Sequence, residues 1–599
     1  MLKQNFLLTL AALTTIFLML IFLLPTPAVI SEPKSAQSNT QSETLIIKNA
    51  RIFDGTTLLE NTNMVIEGAM IAAIGRNLET PESAAQIDGT GKTIFPGLID
   101  AHTHTFGTAL EDSLRFGVTT NLDMFMLAAL MTEAQPNRDK TGPTNQADLY
   151  SAGALATVKG GHGTQYGFPI ETLTSPDDAR DWVVRRKAEG SDYIKLVYIP
   201  GQTSIPSLDL ETATHIIEAA HAEGLMALAH ISTQAAAMDM VNAGIDGLVH
   251  LFADEPVSDA FIQRALDTDL FIIPTLTVIA GVSGSTENAA LAEDPRLAPF
   301  YRGGQAGNLA QSFGIDIPGF DLSIALANTG KLHAAGVTIL AGSDAPNPGT
   351  THGASLHHEL ELLVQSGLST TDALAAATAL PAQAFSLEGR GVLRPGARAD
   401  FVLTASNPAD DITATRDIVS IYKNGHEVQR PLAATPKQNA VLQAQLGSFD
   451  NGLDAPTGFY WTSTDDSFAG GTSSANVSAD GAGHLNVKAT ITNDFLFPWA
   501  GAFLTIQDRA TPPASLSDFD TLTFQVRGTP GTYRVMMFDT GIAGAPPTQN
   551  FTISEDWQDI TMALDDFNGF TPNAFVGLAI VAGPATGEFE YQIDNVILN

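Results

Sequence analysis

Two hydrophobic patterns divide the chain. From Thr44 to Gln86, apolar and polar residues alternate in short runs such as LIIKNARIFDG and MVIEGAMIAAIG. Glycines separate the runs, the pattern of short strands joined by turns. From Gly89 to about Gly367, short apolar runs alternate instead with stretches of helical period. The runs are TIFPGLIDAHTHT, VTTNLDM, DLYSAGALA, YIKLVYI, LMALAHIS, GLVHLF, FIIPTLTV and VTILAGSD. Helical segments between them include Asp209–Ala222, Thr233–Ala243, Asp259–Asp267 and Ala325–Ala335. Eight strand–helix units in succession predict a (β/α)8 TIM barrel over residues 93–386. Thr370–Phe385 reads as one further helix.

Strand-and-turn pattern returns in Gly391–Asn407 and in IVSIYKNGHEV. Residues 44–92 and 387–430 are therefore expected to form one small β-sandwich domain, with the barrel inserted between its halves. PLAATPKQNAVLQAQ falls in a linker over residues 431–446. Beyond it, residues 447–599 hold runs such as HLNVKATI, TLTFQVR, YRVMMFD, DITMALDDF, FVGLAIVAG and FEYQIDNVIL between Gly, Pro and Asp turns. These predict a C-terminal all-β sandwich or jelly roll.

Composition narrows the function. A formal net charge of −35 argues against binding nucleic acid through its backbone. The chain has no cysteine, which excludes disulfides and thiolate metal sites. At the N-terminus Lys3 precedes the uncharged stretch Phe6–Leu24. This is export-signal architecture, and it is also long enough to span a bilayer. Residues 1–30 are read as a signal peptide or a retained membrane anchor, and 31–43 as a polar linker. The expected location is periplasmic or extracellular.

The barrel runs end in side chains able to bind a metal: His102 and His104, Lys195, His230, His250 and Asp344. In such a barrel the C-terminal strand ends meet on one face, where active sites lie. His102 and His104 are two residues apart, so a strand points both rings to one side. Lys195 sits inside the apolar run Tyr193–Tyr198, where an unpaired ammonium is costly. Carboxylation by CO2 would turn it into an anionic bridge between two metals. Asp344 is the expected proton carrier, taking a proton from metal-activated water and passing it to the leaving group. His162, in VKGGHGTQYG, and His352, in NPGTTHGAS, are candidate substrate contacts. His357 and His358 are read as structural or solvent-facing. His215, His221, His333, His426 and His484 are read as outside the site, and Lys159 and Arg302 as surface charge.

FPGLIDAHTH, the lysine of YIKLVYI, His230, His250, LAGSDAP and RPGARADFVL resemble the amidohydrolase superfamily over about Thr44–Val428. GGHG and NPGTTHGASLHHELELL look closer to its imidazolonepropionase-like and prolidase-like branch. The resemblance implies two divalent ions, usually zinc. His102, His104 and Asp344 would hold one, His230 and His250 the other, and carboxylated Lys195 would bridge. FYWTSTDDSFAGGTSSANV and the strands after it resemble the complex I intermediate-associated protein domain, a galactose-binding-like jelly roll. There Trp461, Trp499 and Trp557 are candidates for stacking on a sugar ring, with core packing the reading for most of them.

These readings predict an exported hydrolase of small molecules. It would cleave a C–N amide bond in a dipeptide or an N-acyl amino acid. Three alternatives remain open: a mononuclear deaminase using Glu255, a cyclic amidase or lactonase on the same barrel, and a glycan- or envelope-binding protein acting through the C-terminal domain.

Overall fold

A computed structural model describes residues 44–599 apart from 79–83, 165–169, 202–204, 286, 303, 313–320, 433–443, 451, 456–458, 467–471, 493–497, 507–512, 540–545 and 568–569. The expected export segment, its linker and most of the 431–446 linker lie outside the described residues. No helix among the described residues is long and apolar enough to cross a membrane. Two compact units separate in the chain, one of them formed largely by residues 433–599.

In the larger unit β1 (Thr44–Phe53), β2 (Leu58–Glu67), β3 (Met70–Gly75), β4 (Ala85–Asp88) and β5 (Thr93–Pro96) pair with strands from far along the chain. Those are β14 (Phe401–Thr404), β15 (Ile418–Lys423) and β16 (His426–Glu427), reached after the eight strands described below. The order β16-β15-β14-β5-β1-β2-β3, with β4 also on β1, makes one mixed sheet. The expected sandwich is thus a single path of pairing, because β5 lies between β1 and β14 and joins the two halves edge to edge.

Between those halves run eight parallel strands: β6 (Leu98–Thr103), β7 (Val118–Asp123), β8 (Asp148–Ser151), β9 (Ile194–Val197), β10 (Ala227–His230), β11 (Gly247–Val249), β12 (Phe271–Ile273) and β13 (Thr338–Ile339). Pairing continues from the β8 side to β9, where Ala156 N donates to Lys195 O at 2.8 Å and Val197 N to Ala156 O at 3.1 Å. It continues from the β13 side to β6, where Ala101 N donates to Ala341 O at 2.9 Å and Asp344 N to His102 O at 2.8 Å. Ile99, Leu122, Leu228, Val249 and Ile273, from five of these strands, share one buried apolar cluster. A second, larger cluster lies between the strands and the helices. Three of those helices begin at side-chain caps, Asp209 onto Thr212 N, Thr233 onto Ala236 N and Ser258 onto Phe261 N.

Several expectations change. TIFPGLIDAHTHT is two strands broken at Gly97, where an added Cβ would lie 2.3 Å from the Thr119 side chain. FIIPTLTV stops as a strand at Ile273: Pro274 has no N–H to extend the ladder, and Leu276–Val282 is helical. Thr370–Phe385 is two helices, Thr370–Ala376 and Ala379–Ala384. Pro381 fits only a first turn, and the carbonyl of Ala377 is free to accept Ile99 N at 2.7 Å. Of the two readings open for His357 and His358, burial leaves the structural one and not the solvent-facing one.

In the smaller unit every strand pair is antiparallel. Its strands are β17 (Gln445–Gly447), β18 (Phe459–Asp465), β19 (Ser474–Ala479), β20 (Leu485–Ile491), β21 (Ala500–Ile506), β22 (Thr521–Gly528), β23 (Gly531–Asp539), β24 (Thr548–Ile553), β25 (Gln558–Ala563), β26 (Phe575–Ala582) and β27 (Gly587–Leu598). One sheet runs β19-β20-β27-β22-β25, with β17 also on β27, and the other β18-β21-β26-β23-β24. Phe459, Leu504 and Ile580 of one share a buried cluster with Val487, Phe524 and Ile593 of the other. Trp461 and Trp499 are buried, and Trp461 donates Nε1–H to Leu446 O at 3.0 Å, so neither offers a face to a sugar. Trp557 is half-buried, with Arg527 4.9 Å from its ring centre.

Candidate metal centre

The ends of the parallel strands bring the histidines together. His102 lies within β6 and His104 just past it, with ring centres 5.5 Å apart. The rings of His102 and His250 are 4.9 Å apart, those of His230 and His250 4.5 Å, and those of His162 and His230 4.8 Å. Asp344 completes the group: Oδ1 lies 3.2 Å from His102 Nε2 and 3.0 Å from His104 Nε2, and Oδ2 lies 3.9 Å from His250 Nε2. Gly342 makes this approach possible, since a Cβ there would stand 2.8 Å from that of His102. Asp344 and His250 both take left-handed backbone, with φ of 54° and 67°. Such a conformation is uncommon outside glycine and persists only where the surroundings impose it.

The electrostatics favour lone-pair donors. Burial, with Lys195 nearby, pushes the His102 imidazolium well below its ordinary range. Burial likewise lowers His230, takes His250 to about 3 and His162 to about 4. His104 is the exception: burial opposes its charge, but contact with the Asp344 carboxylate outweighs this and raises it. Lys195 is buried in β9, and burial pushes its ammonium down to about 7 against the pull of Asp344 and Asp123. Asp344 Oδ1 and His102 Nδ1 are buried without an aligned hydrogen-bond partner. Ligand atoms of His102, His250 and Asp344 lie within 4.8 Å of one another, a group that could hold a metal ion. Neutral imidazoles around a buried carboxylate fit a divalent cation.

Residues 185–429 match the profile of the Amidohydrolase family. That segment is similar to the amidohydrolase family. The expected enzyme class, a hydrolase, stands with it. An imidazolonepropionase of Deinococcus deserti is 24% identical over 384 residues, 60% of this chain and 89% of that protein. A prolidase candidate of Bifidobacterium longum is similar in structure, with 25% identity and a TM-score of 0.53 over 65% of this chain and 96% of its own. A molinate hydrolase is similar in fold, with 20% identity and a TM-score of 0.52 over 65% of this chain and 95% of its own.

Other residues around the histidine–Asp344 centre serve to hold it. His352 points Nε2 at the carbonyl of His104, 3.0 Å away, so that nitrogen is committed to the backbone. Asp100, two residues before His102, accepts from His102 N at 3.2 Å, Ser343 N at 2.9 Å and Ser343 Oγ at 2.6 Å. It clamps β6 to the Asp344 segment, and burial pushes its carboxyl up to about 7. Asp123, the last residue of β7, accepts from Thr105 N, from Phe125 N at 3.0 Å and from Ser151 Oγ at 2.9 Å. The strand-end rule that singles out His230 also points to Asp123, so the signal was in VTTNLDM. Asp100 carries a signal of the same kind, a charge inside an apolar strand. Glu255 is exposed and accepts from Gln234 Nε2 at 2.9 Å.

The residues read as outside the site have partners away from the cluster. His215 bonds Glu211 O in its own helix, and His221, His333 and His484 pair with Asp246, Asp372 and Asp480. His426 and Lys159 are exposed, and Arg302 pairs with Glu111.

Proposed function

We propose that the chain is an exported metal-dependent amidohydrolase cleaving a C–N amide bond in a dipeptide or an N-acyl amino acid. The carrying observation is the convergence of His102, His104 and His250 on Asp344, with His230 packed on His250 and Asp344 Oδ1 buried without an aligned hydrogen-bond donor. The eight parallel strands are read as a (β/α)8 barrel and the two C-terminal sheets as a jelly roll. His102, His104 and Asp344 would hold one divalent ion, His230 and His250 the other, with Lys195 bridging as a carbamate. Zinc is the expected metal. Bound divalent ions supply a Lewis acid and lower the pKa of water towards about 7. Asp344 would accept a proton from the attacking water and return it to the leaving nitrogen. The neutral rings of His102, His230 and His250 keep their lone pairs for binding. His162, packed on His230, borders the space where an acyl group would sit.

The uncharged stretch Phe6–Leu24 supports export, with either cleavage or retention as an anchor. The C-terminal unit is read as an accessory module, where Trp557 is the candidate for glycan contact. A deaminase draws little support, since Glu255 is engaged by Gln234.

The test is a screen of the zinc-supplemented full chain against dipeptide, N-acyl amino acid, cyclic amide, lactone and phosphotriester libraries. Turnover of the first two classes, with near two metal ions per chain, is the expected result. Turnover confined to lactones or cyclic amides, or one ion with ammonia release from an aminated ring, overturns it.

A further inference from the structure

Two fully buried side chains beside the centre have no place in the ligand set: the hydroxyl of Thr275 and the carboxylate of Glu359. Thr275 stands at the N-cap of the helix Leu276–Val282, with φ 52° and ψ 49°. A threonine at an N-cap ordinarily turns its hydroxyl onto the N–H groups of the first turn. This one makes no such bond. Its Oγ1 lies 2.7 Å from the carbonyl of Pro274 and 2.7 Å from Nδ1 of His250. A carbonyl only accepts, so the hydroxyl proton goes to Pro274. The oxygen must then accept from Nδ1–H of His250. That selects one tautomer of His250 and leaves Nε2, on the Asp344 side, as the lone-pair nitrogen.

The capping that Thr275 leaves undone comes from a distant helix. Glu359, within Ala354–Gln365, accepts from Leu276 N at 2.9 Å, from Thr277 N at 2.8 Å and from the Thr277 hydroxyl. All three donors are neutral, and no cation pairs with Glu359 among the described residues. A buried carboxylate without a countercharge is costly, and so is left-handed backbone at a β-branched residue. If capping were the only need, Thr275 could meet it by turning its hydroxyl inward, with no buried acid. The sequence spends both costs where the gain is the aim of one imidazole.

We propose that Glu359 and Thr275 form a relay that positions His250 as a metal ligand. Glu359 caps the helix, and Thr275 is thereby released to hold the ring by Nδ1. Both are positioning residues. The inference rests on the reading of His250 as a ligand given above.

The test uses the full chain, stripped of metal and titrated with zinc or cobalt(II) against a competing chelator. Thr275→Val removes the acceptor at nearly constant volume. It is expected to lose 10–100-fold in affinity for one ion, as partners of metal-binding histidines do. The visible spectrum of bound cobalt should change, while the metal-free thermal midpoint stays near that of the parent. Thr275→Ser, which keeps the hydroxyl, is expected to restore both affinity and spectrum. Glu359→Gln is expected to weaken the same ion by a smaller factor. Parent-like affinity in Thr275→Val overturns the relay, as does an equal loss in Thr275→Ser, which would mark packing. If Thr275→Val fails to fold, Glu359→Gln decides, and unchanged affinity there overturns it. Asp344→Asn separates the two levels. Its loss of metal beside a parent-like Thr275→Val refutes only the relay, whereas its full retention of metal refutes the centre itself.

Discussion

The two ends of the parallel strands treat buried charge in opposite ways. At the end that carries the histidines, Asp344 Oδ1 is buried without an aligned partner and Lys195 lies in no ion pair among the described residues. Near the other end, Asp148 opens β8 and every buried charge is answered by the protein. Lys423 Nζ lies 2.7 Å from Asp148 Oδ2 and 2.6 Å from Asp400 Oδ2, and Arg390 Nε lies 2.7 Å from the same Asp148 oxygen. Asn424 N serves the second oxygen of Asp400 at 2.7 Å. The second cluster is closed and ties β8 to the mixed sheet through β14 and β15. The first is open, and a cation from solution would close it. Burial and charge are alike in both places, so the supply of partners separates a structural network from a site.

This contrast can be broken by exchanging what each cluster needs. Asp344→Asn should lower amide turnover at least ~10^3-fold while the thermal midpoint shifts little; steady-state kinetics beside circular dichroism checks both. Lys423→Met should do the reverse. It takes the ammonium from Asp400 and leaves Asp148 with Arg390 alone, so denaturant unfolding should show a loss of about 3–5 kcal/mol, with metal stoichiometry unchanged. A Lys423→Met protein as stable as its parent would erase the distinction.

A third measurement uses His357, buried between Thr415 Oγ1 and the carbonyl of Phe116, each 2.9 Å away. The carbonyl fixes Nε2–H, so Nδ1 accepts, and burial pushes the imidazolium down to about 3. Below about pH 6.5 the unfolded chain binds a proton at this ring that the folded chain refuses until about pH 3. The stabilisation is therefore complete above pH 6.5 and is lost as pH falls across that window, by up to about 3 kcal/mol at pH 4. His357→Gln should flatten the fall in unfolding free energy relative to the parent. An unchanged slope would show that the ring does not titrate there. The smallest effect is expected at Gly342→Ala, whose Cβ would stand 2.6 Å from Ile273 Cγ2. A loss of about 1–3 kcal/mol with weakened metal binding is expected, read by thermal melts and chelator competition.

The positions of these clusters explain what could be read in the residues alone. His102, His104, His230, His250 and Asp344 each close an apolar run, so local pattern alone places them at strand ends. Lys423 and Asp148 are 275 residues apart, and no local pattern links them. The same holds for Thr275 and Glu359, whose roles exist only once the two helices meet. Pro274 and Pro381 carried a local signal: each marks where a strand or helix must stop, although the apolar period continues through it. β24, TQNFTI, alternates exposed residues with half-buried or buried ones, and its polar face hides it among turns.

The mixed sheet carries a consequence for synthesis. Phe401 of β14 pairs with Pro96 of β5, 305 positions earlier (401 − 96). At a translation rate of roughly 10 residues per second, that edge waits about half a minute on the ribosome for its neighbour. The nascent chain must keep an unpaired hydrophobic border out of contact with other chains for that time. Chaperone demand should therefore peak before the last third of the polypeptide has emerged.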